Sequence, residues 1–363
     1  MTTHTTLPSQ DGYRMPAEFE PHKGCILIWP FRGDSWPYGG GAAHKVFTSL
    51  AEIISRSEEV LVCAPAARYD LARSSLPDTV RVFKVETDDS WARDYAPTFV
   101  SNKTSLRGIN WRFNAWGGEH DGLYDSWDLD DALAPALCDY LSTEMYDAHH
   151  FVMEGGAIHT DGEGTLLTTE SCLLSPGRNP KMSKEEIEDT LLSYLGASKV
   201  IWLPEGIVND ETNGHIDNIC AFTAPGEVVL AFPEDTSDLQ YEPSRKALEV
   251  LENSTDAKGR HIKVRKLPMP SPAYVTEYEL KGLDLLNGEP VREVGERLAA
   301  SYANFYISNK DVIVPGFDDK NDEVAREILE ECFPGRTVHT LQSRDLLIGG
   351  GNFHCITQQI PAI

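Results

Sequence analysis

The chain contains no run of ~18 apolar residues, so nothing in it reads as a membrane-spanning helix. It also has no CxxC pair and no HExxH, the short spacings by which many zinc sites announce themselves. Basic residues are scarce. Lys and Arg number 32 against 57 Asp and Glu, a net charge of -25, which argues against nucleic acid or an anionic membrane as the partner. Such a surface mainly confers solubility, and it also favours the approach of a small cation. Seven cysteines stand at 25, 63, 138, 172, 220, 332 and 355, an odd number without regular spacing. That is the pattern of a reducing compartment and not of a disulfide framework, so a cytoplasmic location is expected. Residues 1–12 are polar and lack an apolar stretch, so no signal peptide is expected.

What is present is an ordinary globular composition, 41% hydrophobic and 25% charged over 363 residues, ample for a core. Residues 1–22 read as a mobile lead-in. Cys25 to Trp29 is an apolar run ended by Pro30 and reads as a buried strand. Strands are also expected at 60–64, 80–85, 200–203, 228–232 and 337–341, with helices at 42–55, 183–195, 245–252 and 322–332. The clearest helix start is Ser183-Lys184-Glu185-Glu186, a capping box, and Gly196 is its stop. Short strands alternate with single helices along 1–363 without an evident linker, which gives one α/β domain. Asp235 to Arg297 is the most charged and least regular stretch, with a long loop expected from Pro268 to Pro290; it reads as an insertion. Strand-like segments carrying a kink begin near Gly24, Asp94, Gly155, Gly214, Tyr302 and Gly351, mostly ~60–70 residues apart, the size of one unit in a radial repeat.

Four segments hold the chemistry. Cys355 closes Gly349-Gly350-Gly351-Asn352-Phe353-His354-Cys355. A lone cysteine is more often a buried hydrophobe than a nucleophile. The glycines before it suggest unusual dihedrals or a very close approach, which favours the nucleophile. Its best base is His215 in Asn213-Gly214-His215-Ile216-Asp217, where Asp217 would face the same side of a strand. The others are Asp88-Asp89-Ser90-Trp91-Ala92-Arg93-Asp94 and Met153-Glu154-Gly155-Gly156. Asp88, Asp89 and Asp94, read alone, would be a solvated loop, whereas Glu154 in an apolar run needs a partner. His215 with Asp217 could be a structural pair, and a zinc site on Cys355, His215, His354 or Asp217 is the minor alternative.

A thiol with an imidazole alone suggests acyl transfer, but nearby carboxylates would oppose an oxyanion. Carboxylates suit a cationic electrophile instead, and a guanidinium offers a fork of N–H donors that matches them.

These segments, with Met15-Pro16-Ala17-Glu18-Phe19-Glu20-Pro21-His22, resemble the agmatine deiminases of the guanidino-group-modifying (pentein) superfamily, over about Gly12 to Pro361. The resemblance implies a five-bladed pseudo-symmetric α/β propeller of ββαβ units. It implies hydrolysis of agmatine to N-carbamoylputrescine and ammonia, without metal or organic cofactor, and a homo-oligomer. By motif position Cys355 is the nucleophile and His215 the general acid/base. Asp94 and Asp217 grip the guanidinium, and Glu154 orients it and supports His215. The far end of agmatine is an ammonium, so it should meet an acid and no arginine fork. Glu211 is the expected acid, with Asp210 as substitute and Trp91 packing on the methylenes. Two rivals remain at this stage: a peptidyl-arginine deiminase, which would need an open groove around Glu211, and a non-catalytic binder of polyamines.

Overall fold

Each of five sheets opens with an antiparallel pair and continues, after a crossover helix, with a parallel strand. The computed structural model describes residues 2–288 and 291–363. In the first unit His22–Ile28 pairs antiparallel with Gln358–Pro361 and parallel with Glu59–Ala64, and helix Gly41–Ile54 makes the crossover. Thr98–Ser101, Leu106–Arg112 and Glu144–Val152 repeat the pattern. So do His159–Thr160, Thr165–Thr169 and Lys199–Leu203. Cys220–Ala224, Glu227–Ala231 and Lys263–Leu267 form the fourth sheet, and Tyr306–Ile307, Asp311–Gly316 and Thr337–Gln342 the fifth. Parallel neighbours cannot be joined by a tight turn, which is why a helix follows every second strand.

The first strands of the units face one another: Gln358–Pro361 contacts Thr98–Ser101, and His159–Thr160 contacts Cys220–Ala224. The last strand of the chain pairs with the first long one. The ββαβ unit thus occurs five times, the number that the family resemblance implies.

The crossover helices each bury one stripe against neighbouring strands. Helix Gly41–Ile54 turns Ala43, Phe47, Leu50, Ala51 and Ile54 inward at helical spacing, into a cluster with Ile26, Ile28, Leu61 and Val62. A fully buried side chain of this size contributes about 1.5–3 kcal/mol. Helix Lys184–Leu195 starts with the expected capping box at Ser183 and stops at left-handed Gly196. No helix among the described residues is long and apolar enough to cross a membrane.

Three expectations are corrected. The lead-in is packed: Thr3–His4 pairs with Met145 and Tyr146, Arg14 bridges Ser101, and Glu18 is buried. Residues 235–267 are no insertion, because helix Tyr241–Glu252 and strand Lys263–Leu267 complete the fourth unit. Their charge comes from a helix whose outer face meets solvent. Only the stretch from Pro268 to about residue 300 leaves the repeat, and it carries a short capped helix, Glu277–Gly282, where a plain loop was expected. The end of that expected loop, Glu289 and Pro290, lies outside the described residues.

Candidate active site

Each unit delivers one short segment to the centre, just before its first strand. These segments carry Asp94, Glu154, His215 with Asp217, Asn304 and Cys355. Asp94 sits in the single turn Ala92–Tyr95, Glu154 precedes the turn Gly155–Ala157, and Cys355 precedes strand Gln358–Pro361. His215 is the cap of the turn Ile216–Ile219 and Asp217 lies in it, so the two are not on one face of a strand. All six of these side chains belong to buried residues.

The pairings differ from those expected. Asp217 is bonded to His354, not to His215: Asp217 Oδ2 lies 2.8 Å from His354 Nδ1 and accepts from the Cys355 thiol at 3.6 Å. His354 Nε2 lies 2.8 Å from Glu18, and Glu18 is 3.2 Å from Arg93 Nη1. Burial and Arg93 both lower the affinity of His354 for a proton, but Glu18 and Asp217 outweigh them and raise it. Burial would raise Asp217; the bond to His354 lowers it, so it stands as an anion.

His215 stands against the other two acids, with Nδ1 3.8 Å from Asp94 Oδ1 and Nε2 3.9 Å from Glu154 Oε2. Burial disfavours its charge, but Asp94 raises it well above the ordinary imidazole range and keeps it protonated. Asp94 accepts from the Gly156 amide at 2.9 Å and from the Trp116 indole at 2.9 Å. Burial, opposed by His215 and reinforced by Asp217 and Glu154, pushes Asp94 up to about 6. Glu154 has the partner its burial required, Arg178, whose Nε is 2.7 Å away. Arg178 also donates to Asn213 Oδ1 and the Thr212 carbonyl, tying the His215 loop to Glu154.

The Cys355 thiol is pushed well above its ordinary range by burial and by the anions Asp217 and Asp94. The Asn304 amide, 3.1 Å from Sγ, opposes this. The glycines allow the crowding. A Cβ on Gly156 would lie 2.5 Å from His215 Nδ1 and 2.8 Å from Asp94 Oδ1, and one on Gly351 would lie 3.0 Å from Cys355 Sγ.

A pocket of about 260 Å³ leads from Cys355 and Asp94 outward between Trp91, Trp116 and Tyr124. Trp91 forms its wall and stacks on Trp36, with ring centroids 5.1 Å apart. Glu211 lines the outer end, but both of its oxygens are held by Arg292, at 2.6 and 2.7 Å. The free acid expected there is therefore absent, and an arginine lines the pocket where none was expected. Asp210 takes no part in the wall: it accepts from Thr212 and Asn218 and shapes the His215 loop. Asp88 and Asp89 are no solvated loop, since Asp89 is fully buried.

Sequence reasoning missed Asn304, Glu18, Arg178 and Asp89. The repeat could have found Asn304, because Tyr302 marked the fifth unit. Arg178, in Ser175-Pro176-Gly177-Arg178-Asn179-Pro180, gave no signal.

Among the described residues two groups have metal-like spacing, Glu18-His159-His354 and Glu154-Cys172-His215. In each the carboxylate already holds a guanidinium, Arg93 or Arg178, which would repel a cation. The donor sets do not fit a resident metal. The second group also brings Cys172, read from sequence as a spectator, beside His215.

Known proteins carry the same chain plan throughout. The family profile described as Porphyromonas-type peptidyl-arginine deiminase matches residues 14–361. The chain belongs to that family. A curated relative named "Putative agmatine deiminase", from Selenomonas ruminantium, is 52% identical over 369 positions, covering 100% of both chains. "Putative agmatine deiminase 1" of Listeria monocytogenes serotype 4b (strain F2365) is 50% identical over 362 residues, 99% of this chain and 100% of the other. A solved agmatine deiminase of Enterococcus faecalis, described as catalysing its reaction, superposes with a TM-score of 0.96 at 43% identity, covering 99% of each chain.

Proposed function

We infer that this chain hydrolyses the guanidinium C–N bond of agmatine, giving N-carbamoylputrescine and ammonia through a covalent intermediate on Cys355, in polyamine metabolism. The observation that carries the reading lies beneath the pocket, where one thiol, a protonated imidazole and two carboxylates with no arginine within ion-pair distance among the described residues converge. The relatives above support agmatine as the substrate.

The guanidinium enters between Asp94 and Asp217, whose charges it cancels. Its own charge offsets the two anions that hold the thiol proton, so binding favours the thiolate. The thiol proton leaves to solvent as the cation binds, and Asp217 keeps the charge that grips the guanidinium. Sulfur attacks the guanidinium carbon, and His215 gives its proton to the departing nitrogen, which leaves as ammonia. The resulting thiouronium is attacked by water as neutral His215 removes a proton. Collapse of that adduct breaks the C–S bond and releases the ureido product, and the adduct's hydroxyl proton returns to the Cys355 sulfur. Glu154, fixed by Arg178, keeps His215 in position, and Trp91 covers the methylenes.

A peptidyl substrate fits the outer end poorly. Leu286, Val291 and Arg292 line the mouth, and this stretch is pinned by Asp284 to Gly33, by Asn287 to Asp125 and by Arg292 to Glu211. Seven unpaired cysteines support a reducing, cytoplasmic setting.

The deciding assay measures ammonia and N-carbamoylputrescine from agmatine beside free arginine and an arginyl peptide, with Cys355→Ala as control. Turnover of agmatine alone, lost in Cys355→Ala, is the expected result. Turnover of the peptide would overturn the substrate assignment, and ammonia from Cys355→Ala would overturn the nucleophile.

A further inference from the structure

The outer end of the pocket must hold a cation, yet its visible acids are already neutralised. Glu211 is bound by Arg292, and Asp34 is bound by Arg32 at 2.6 and 2.8 Å. One carboxylate behind the wall has no such partner. Asp89 is fully buried and forms no ion pair among the described residues. Four side-chain donors converge on it instead. Its Oδ2 accepts from Ser35 Oγ at 2.6 Å, Trp91 Nε1 at 3.0 Å and Tyr124 OH at 2.5 Å, and its Oδ1 accepts from Trp36 Nε1 at 2.7 Å.

Two of these donors are indoles, which can only donate, so Asp89 meets them with its acceptor oxygens; burial raises its affinity for a proton, and the bonds from Ser35, Tyr124 and Trp36 with the charge of Arg32 oppose that. Arg32, the nearest cation, is held by Asp34 and lies over the Tyr124 ring, 4.0 Å from its centroid. The backbone of Asp89 is fixed from behind: the Asp88 and Asp89 amides donate to Asp130 Oδ1 at 2.7 and 3.3 Å.

The two hydroxyls matter most. Ser35 and Tyr124 both line the pocket. Each gives its hydrogen to Asp89, and neither oxygen accepts a bond from any described protein donor. Their lone pairs are therefore free for an N–H of a ligand, and donation to an anion makes them stronger acceptors.

We propose that Asp89 is the counter-charge for the substrate's distal ammonium, delivered through the hydroxyls of Ser35 and Tyr124, while the same carboxylate holds Trp91 against the methylenes. Asp89 is then a positioning and specificity residue that does not touch substrate. The inference rests on the reading of agmatine as substrate.

The test compares agmatine with butylguanidine, which has the same guanidinium and four-carbon chain but a hydrogen in place of the ammonium. Asp89→Asn keeps one acceptor oxygen and removes the charge. It should lower kcat/KM for agmatine by roughly ten- to hundredfold more than for butylguanidine, the range of a charge-assisted hydrogen bond. An equal loss on both substrates would reduce Asp89 to a support for Trp91 and overturn the proposal. A near wild-type value on agmatine would overturn it as well. Where Asp89→Asn fails to fold, the double variant Ser35→Ala/Tyr124→Phe decides: it should lose preference for agmatine, and retained preference overturns the relay. Wild-type protein that releases no ammonia from agmatine would overturn the substrate assignment and this inference with it.

Discussion

The two ends of the pocket treat carboxylates in opposite ways. At the floor Asp94 and Asp217 are accompanied by histidines and amides, with no arginine within ion-pair distance among the described residues. At the mouth Glu211 and Asp34 are each tied to an arginine. The floor thus keeps negative charge in reserve for a cation that must lie in one orientation over a sulfur atom. The mouth keeps almost none at its surface. The difference separates chemistry from selection: a guanidinium is gripped directly, whereas the remote end is read through aromatic rings and hydroxyls. It also explains why thiol and imidazole protons are tightly held in the empty site, since the same anions that await the substrate hold them there.

The largest effect should come from removing charge at the floor. Asp94→Asn leaves the shape but halves the anionic grip, and kcat/KM should fall by about 10²–10³-fold, the cost of unpairing a buried charge. A value near wild type in steady-state kinetics would take Asp94 out of contact with the guanidinium. Next comes crowding. Gly156→Ala puts a methyl against His215 and Asp94, and a misplacement on that scale costs about 10²-fold in rate. An active, folded Gly156→Ala protein would mean that the three groups do not converge during catalysis.

The acid limb of the pH profile is a smaller effect. Asp94 is pushed up to about 6, so in the free enzyme it loses its charge as pH falls through that value. kcat/KM should decline roughly tenfold per unit below it and level off above, until His215 loses the proton it must donate. A flat profile between pH 5 and 8 would contradict the role of Asp94. The smallest change is expected at the mouth. Glu211→Gln releases the Arg292 fork, which suits a carboxylate. The ratio of arginine to agmatine turnover should then rise by about three- to tenfold. No change in the ratio would mean that Arg292 does not face the substrate.

Much of this was legible in the chain. Cys25–Trp29, the capping box at Ser183 and the stop at Gly196 are local patterns, set by a few neighbouring residues, and the elements formed within one to three residues of their expected bounds. Residues 235–267 were misread because a solvent-facing helix and a parallel strand with a charged outer side look like an irregular insertion. Asp89 was misread for a similar reason: two adjacent acids suggest solvent, and nothing nearby announces the four donors that bury one of them.

By itself the sequence determined part of the strand and helix order, the approximate repeat and the residue types of the site, because each rests on contacts within a turn or two of chain. Only the tertiary structure decided which charge meets which. His354 reaches Asp217 across 137 residues, Asn304 reaches Cys355 across 51, and Arg292 takes Glu211 across 81. Ion pairs and hydrogen bonds are settled within about 3 Å. Separations that small, between residues so far apart in the chain, exist only once the five sheets have packed together.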